Sequence, residues 1–251
     1  MNASRSPLSQ LAPALACGLL AALLTGCASR GPTQPAPPKP VVTRPPAART
    51  PSVRSVLAKI QGPVEQRLEP MFSRVGVPYP PRRVWLLAFK EEERIELWAQ
   101  GAAGRPTFVR EYPILRTSGY AGPKLREGDF QVPEGVYRVL WLNPASSYHL
   151  SMKLDYPNDF DRAMAREDGR SNLGGDIFIH GKNESVGCLA MGDDAIEELF
   201  VLAARVGVEN TTTIIAPHDL RSKPLPAIED RPPWVGKLYA SLVAELRRFS
   251  P

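Results

Sequence analysis

The chain has 251 residues, 43% of them hydrophobic, enough for one large or two small domains with a real core, which excludes a wholly disordered protein. Its formal net charge of +5 is unevenly held: residues 1–64 contain seven Lys and Arg and no acid, and the rest sets 24 basic residues against 26 acidic ones. The basic character therefore belongs to the N-terminal segment; a nucleic-acid-binding globule loses its main support, and only weak attraction of that segment to anionic polymers of a cell envelope is expected.

Met1 to Gly26 carries one basic residue, Arg5, no acid, and the apolar run "LAPALACGLLAALL". This is the profile of a signal peptide, with a core too short for a comfortable membrane span. It ends in Leu24-Thr25-Gly26-Cys27, which resembles the lipobox of bacterial lipoproteins, where the cysteine is lipidated and becomes the mature N-terminus; the alternative is an uncleaved anchor followed by a coincidental cysteine. Ser29, rather than Asp, suits onward transfer to the outer membrane, facing the periplasm. From Ala28 to Pro51 eight prolines fall in 24 residues, too polar and too Pro-rich to fold alone. As polyproline II this stalk reaches roughly 75 Å.

Next, "VRSVLAKIQGPVEQRLEPMF" spaces Val53, Val56, Leu57, Ile60, Val64, Leu68 and Met71 at helical intervals, with Pro63 expected to break or restart the helix. Strand-like runs follow: "RVWLLAF", "RIELWAQ", "TFVREYPIL", "VYRVLWLN", "YHLSMKL", "GDIFIHG" and "NTTTIIA", separated by Gly-, Pro- and Asn-rich punctuation. Between the last two, the stripe Ile196, Leu199, Phe200, Ala203, Val206 predicts a helix, capped by Asp193 or Asp194 with an Asp194-x-x-Glu197 box and stopped by Gly207. A final helix is expected near Trp234–Phe249. The boundaries are residues 1–26 leader, 27–51 lipidated linker, 52–80 helical lead-in, 81–220 catalytic domain and 221–251 C-terminal helical extension.

Of the three cysteines, Cys17 leaves with the leader and Cys27 carries lipid, so Cys188 is the one thiol left in an oxidising compartment, without an intrachain partner. The bland reading is a buried cysteine acting as a small hydrophobe. Its neighbours argue otherwise. His180-Gly181 ends the strand "DIFIHG", and Ser185-Val186-Gly187-Cys188 follows in the same loop. A free thiol, with pKa about 8.5, is only a few per cent thiolate at neutral pH, so a cysteine nucleophile wants an imidazole beside it, here His180. Gly187 permits a sharp bend that leaves the Cys188 amide and a neighbour free to hold an oxyanion. His149 in "SYHLSMKL" reads as a packed strand residue or a support for the site, and His218 in "APHD" as a turn residue. No metal is expected, because one Cys and three scattered His lack paired ligand spacing.

His180-Gly181 with Ser185-x-Gly187-Cys188 resembles the active-site signature of the YkuD-type L,D-transpeptidases, which remodel peptidoglycan through a cysteine acyl-enzyme. "SGYAGPKLREGDFQVPEGVYRV", "SYHLSMKLDYPNDFDRA" and "GGDIFIHGKNESVGCLAMGDDAIEE" together resemble the YafK branch, over about Val84–Ala216. The resemblance implies an α+β fold: a β-rich L,D-transpeptidase-type catalytic domain, a mixed β-sheet sandwich with flanking helices. Two departures stand out: Val186 occupies the place where most members carry a second histidine, and the loop from His180 to Cys188 is short. The catalytic burden then falls on His180.

The resemblance implies acyl transfer without a cofactor. Cys188 is the nucleophile and His180 the general base, with Gly187, Ser185 and Gly181 shaping the oxyanion loop; the donor is a diaminopimelate-containing stem peptide. The acceptor is an amine of another stem peptide or of a wall-attached protein; with water as acceptor the same scaffold is an amidase that releases a tether or cross-link. Lys124, Arg126 and Lys182 are candidates for substrate carboxylates, Asp176, Asn183 and Ser185 for orienting His180 or the substrate, and His149 for substrate binding, each also explained as loop or packing chemistry. Partners are thus stem peptides, a wall-attached protein and, through the anchor, a membrane. Two other classes stay open: a wall-binding lipoprotein without turnover, which the retention of His180 and Cys188 opposes, and, more weakly, a papain-like protease, which expects Cys before His in the chain.

Overall fold

The strand Arg83–Phe89 (β1) is buried at every position after the first, which explains its unbroken apolar run. Successive side chains alternate between two cores. Val84, Leu86 and Ala88 face one cluster, with Leu68 and Phe72 before them and Leu199 and Phe200 after; Trp85, Leu87 and Phe89 face a second, with Leu238, Leu242 and Phe249. This computed structural model describes residues 50–227 and 231–250. The expected leader, Cys27 and all but the last two residues of the Pro-rich linker lie outside the described residues.

The remaining strands are Arg94–Gln100 (β2), Thr107–Pro113 (β3), Gly135–Ser146 (β4), His149–Leu154 (β5), Phe178–His180 (β6), Leu189–Ala190 (β7) and Thr211–Ala216 (β8). They form one mixed sheet of eight in the order β3-β2-β1-β8-β4-β5-β6-β7. β1 pairs with β8 and β6 with β7 in parallel; the other pairs are antiparallel. The long, bulged β4 joins the halves, pairing with β8 through Gly135–Arg138 and with β5 from Val139 onward. With four flanking α-helices among the described residues, this is the α+β architecture the resemblance implied.

Helix α1 (Val53–Arg74) starts at a reciprocal Ser52/Ser55 capping box and runs unbroken through Pro63 and Pro70. The expected break is absent because both prolines and the carbonyl-bearing residues four before them, Lys59 and Gln66, face solvent, where water takes up the freed carbonyls. Val64, Leu68 and Phe72 are buried on the other side. Helix α2 (Asp159–Glu167) was not foreseen, although its Asn158/Asp161 capping box is visible as "NDFD". Helix α3 (Asp193–Val206) begins after Gly192, not at an aspartate cap: Asp193 Oδ1 instead accepts the Lys182 amide at 2.8 Å. Gly207 ends it as expected. The last helix, α4 (Val235–Leu246), packs on the second core.

Residues 114–134 cross the site end of the sheet with no helix or named strand. A buried ion pair orders them. Lys90 Nζ lies 3.1 Å from Glu134 Oε1 and donates to the carbonyls of Tyr120 (2.7 Å), Gly122 (3.2 Å) and Val132 (3.1 Å). Glu134 also accepts the Gly122 amide at 2.8 Å and the Tyr239 hydroxyl at 2.8 Å, tying the loop to α4. Burial pulls the Lys90 ammonium below its usual pKa, and Glu134 opposes that pull. Removing one partner leaves the other charge buried and alone. E134A is therefore expected to cost about 3–5 kcal/mol in denaturant unfolding, with K90M/E134L recovering part of the loss; a loss in E134A below about 1 kcal/mol, the worth of a surface pair, would contradict the role assigned to this pair.

Candidate active site

Strand β6 ends in His180, 2% exposed, and β7 begins directly after Cys188; the two strands pair in parallel through Ile179↔Leu189 and His180↔Ala190. The loop between them thus returns the thiol to the strand that carries the imidazole. His180 Nδ1 lies 2.7 Å from the Gly181 carbonyl oxygen. A carbonyl only accepts, so Nδ1 carries the proton and Nε2 keeps its lone pair, the state a general base needs. The Tyr148 ring stacks on the imidazole at 4.6 Å between centroids, tilted by 39°. Burial lowers the His180 pKa and the Gly181 bond opposes it, so the ring is neutral at pH 7.

Cys188 is half-buried, and its Sγ donates to the Asp176 carbonyl oxygen at 3.5 Å. Burial pushes the thiol pKa up; the Phe178 backbone and the Lys153 and Lys124 charges pull it back. The resting site is therefore a thiol beside a neutral imidazole, and no hydrogen bond joins Sγ to His180 among the described residues. Catalytic contacts often tighten only when substrate is bound.

Ser185 clamps the turn: its Oγ accepts the Cys188 amide at 3.0 Å and donates to the Cys188 carbonyl at 2.6 Å. The Gly187 amide donates to Ser118 Oγ at 2.7 Å, and that hydroxyl donates to the Phe130 carbonyl at 2.7 Å. This corrects the expectation of free oxyanion donors, since both amides are engaged by serine hydroxyls, which must swing away before either amide meets an oxyanion. Gly187, at φ +85°, supplies the bend. Gly181 serves packing instead: a Cβ there would stand 2.6 Å from Asp193 Oδ1 and 2.8 Å from the Tyr148 carbonyl.

The other candidates divide. Asp176 lies beside the thiol through its backbone, but its exposed carboxylate pairs with Lys153 at 2.6 Å and does not orient His180. Lys124 is buried and pairs with Asp129 at 2.5 Å, bracing its own loop rather than standing free for substrate. Lys182, at φ +56°, donates from Nζ to the Ser147 carbonyl at 2.6 Å and steadies the Tyr148 turn. His149 is not packed: at φ +69° it is exposed and meets Glu197 at 2.9 Å. Arg126 is exposed on a cavity of about 630 Å³ shared with Tyr120 and Arg170. Asn183 is exposed on the loop, and His218 is buried in its turn, 2.7 Å from the Pro224 carbonyl. Three residues were missed as site members, Ser118, Tyr148 and Lys153, although each lies inside a motif already singled out. A small cleft of about 190 Å³, lined by Lys124, Glu127, Phe130, Asp176, Val186 and Gly187, opens beside the thiol loop. Among the described residues no group of three or more His, Cys, Asp or Glu converges to hold a metal ion.

Fold and site define a class: an α+β domain whose mixed sheet carries one imidazole on a strand and one thiol directly before the adjacent parallel strand. The chain belongs to the L,D-transpeptidase catalytic domain family, YkuD, which residues 83–215 match. It is 37% identical over 119 residues to the YafK protein of Escherichia coli strain K12, covering 47% of this chain and 46% of that one, and equally to YafK of Escherichia coli O157:H7. The chain thus spans about half the length of the curated relatives it matches. The YafK-like assignment made from three motifs is borne out. Among solved structures, the helical cell shape determining protein Pgp2 of Campylobacter jejuni is similar at TM-score 0.45 and 20% identity, over 64% of this chain and 58% of that one. L,D-transpeptidase 1 of Mycobacterium tuberculosis gives 0.31 and 12%, over 53% and 62%.

With the thiol pKa raised, alkylation of Cys188 by iodoacetamide in the resting protein should be slow at pH 7 and rise through a midpoint above the ordinary 8.5. A midpoint near 7, followed by mass spectrometry of the Cys188 peptide, would contradict a neutral resting pair.

Proposed function

We propose that this protein is a cysteine acyltransferase acting on the stem peptides of peptidoglycan at the cell envelope. The observation that carries this reading is the fixed tautomer of His180: Nδ1 is committed to the Gly181 carbonyl, which leaves Nε2 as a ready base on the strand beside Cys188. His180 Nε2 takes the thiol proton as sulfur attacks the carbonyl of a diamino-acid residue; the tetrahedral intermediate collapses, the leaving amine takes that proton back from His180, and a thioester remains on Cys188. An amine acceptor of a second stem peptide, or of a wall-attached protein, then resolves the thioester and regenerates the thiol.

Cys27 would carry the lipid that holds the domain to the outer membrane on its periplasmic side, and the Pro-rich segment would give it reach across to the wall. Membership of the L,D-transpeptidase catalytic domain family supports the wall substrate. The neutral thiol–imidazole pair supports proton transfer during attack rather than a standing thiolate.

The test is product analysis by mass spectrometry of peptidoglycan bearing covalently attached protein, treated with the full chain or its C188A variant in H₂¹⁸O. New amide cross-links that depend on Cys188 are the expected result. Uptake of one ¹⁸O at a released carboxylate, without new cross-links, would make water the acceptor and the protein an amidase. Products identical to those of folded C188A would sink both and leave a binding module. H180A should lower turnover by about 10²–10⁴ while changing resting alkylation of Cys188 little, because no ion pair is there to lose; the acid limb of kcat/KM of the native protein should have its midpoint below the ordinary histidine value of about 6.5, since the His180 pKa is lowered.

A further inference from the structure

The pairing register sets Trp141, Lys153 and Phe178 side by side: Trp141 pairs with Lys153 across β4 and β5, and Lys153 with Phe178 across β5 and β6. Paired residues share a face, so the three side chains form a strip that ends at the strand where the thiol loop begins. Trp141 is 46% exposed, and its ring meets Phe178 edge-on at 5.9 Å. The Lys153 ammonium lies 4.8 Å over the Phe178 ring, with its side chain only 12% exposed. Its one anionic partner among the described residues is the Asp176 carboxylate at 2.6 Å, whose own side chain is 92% exposed and sits on a backbone at φ +55°. A sheltered cation held by a wholly solvated carboxylate is an easily exchanged pair, because the exposed member has little to lose on leaving. Asp176 also carries the carbonyl that meets the thiol, so the pair lies beside the reacting atom.

We propose that Lys153 is a carboxylate anchor: its ammonium takes a free carboxylate of the substrate close to the carbonyl that Cys188 attacks, in the place the Asp176 side chain takes in this structure. Phe178 and Trp141 form the apolar wall along which that substrate residue lies. A single ammonium with one carboxylate partner suits one carboxylate; a phosphate monoester would call for several cations. The aromatic wall suits the aliphatic body of an amino acid. The inference deepens the acyl-transfer reading by naming what selects the donor, and it rests on that reading for the identity of the substrate but not for its test.

The test compares two thiol reagents of nearly equal size, iodoacetate with a carboxylate and iodoacetamide without one, by mass spectrometry of the Cys188 peptide of the full chain. In both the sulfur displaces iodide, so no turnover is involved and failure of the acyl-transfer reading leaves the result intact. The native protein should favour iodoacetate, relative to iodoacetamide, more than N-acetylcysteine does at the same pH. K153M should lower that ratio by about three- to fivefold, the size of a partly screened ion pair; K153R should keep most of it, and D176N, which frees the ammonium, should raise it. Salt should erode the native preference and leave that of K153M flat. A ratio unchanged within about twofold in folded K153M, or equal loss with both reagents, would mean that Lys153 only tunes the thiol and would overturn the proposal. D176N keeps it falsifiable should K153M fail to fold: no rise there would also overturn it.

Discussion

The buried Lys90–Glu134 pair is the constraint on which the rest of the site depends. Twenty-one residues from Ile114 to Glu134 have no helix or named strand to satisfy their backbone, yet several of them, Gly122 and residues 131–134 among them, are buried. Buried carbonyls must find donors, and Lys90 supplies three of them from a single ammonium. With the loop fixed in this way, Ser118 reaches the Gly187 amide, and Leu115 and Arg116 bond to Ala190 just beyond Cys188. The thiol is thus placed by a chain of contacts that begins about a hundred residues earlier in the sequence and passes through β1, the 114–134 loop and the Ser185 clamp.

The strands were legible because their signal is local. β1 and β2 match their apolar runs residue for residue, and burial on both faces of β1 explains why alternation is missing there. The same locality misled at Pro63, where the position of the ring relative to solvent decides, and at Asp193, whose carboxylate is drawn to the Lys182 amide by a contact across the thiol loop. His180 and Cys188 were legible because an unpaired thiol and a histidine share one short loop. The serine hydroxyl on the Gly187 amide was not, since Ser118 is 69 residues from Gly187 in the chain. Lys153 and Tyr148 owe their place to sheet register and a hairpin turn, which a single sequence does not fix. Alternation offered His149 as a packed residue or a support for the site; it is not packed, because its positive φ at the hairpin turns it outward to Glu197.

Chemically, the site is held back rather than primed. Burial raises the thiol and lowers the imidazole, so both groups rest uncharged, and the sulfur points its proton at a backbone carbonyl. A neutral pair resists adventitious oxidation, because the thiolate is the reactive species. In the proposed reaction, attack depends on a substrate that draws sulfur toward Nε2 and displaces the hydroxyls from the two amides. Such coupling reserves reactivity for a ligand that fits.

The central claim, that Cys188 takes an acyl group from a stem peptide, is tested most directly by intact-mass spectrometry of the full chain during turnover of a synthetic diamino-acid stem peptide. A transient mass gain equal to the donor acyl group, mapped to Cys188, removed by hydroxylamine and absent from C188A, is the predicted result. Folded protein that releases product with no adduct at Cys188 at any time, or C188A that turns over at the native rate, would contradict the account.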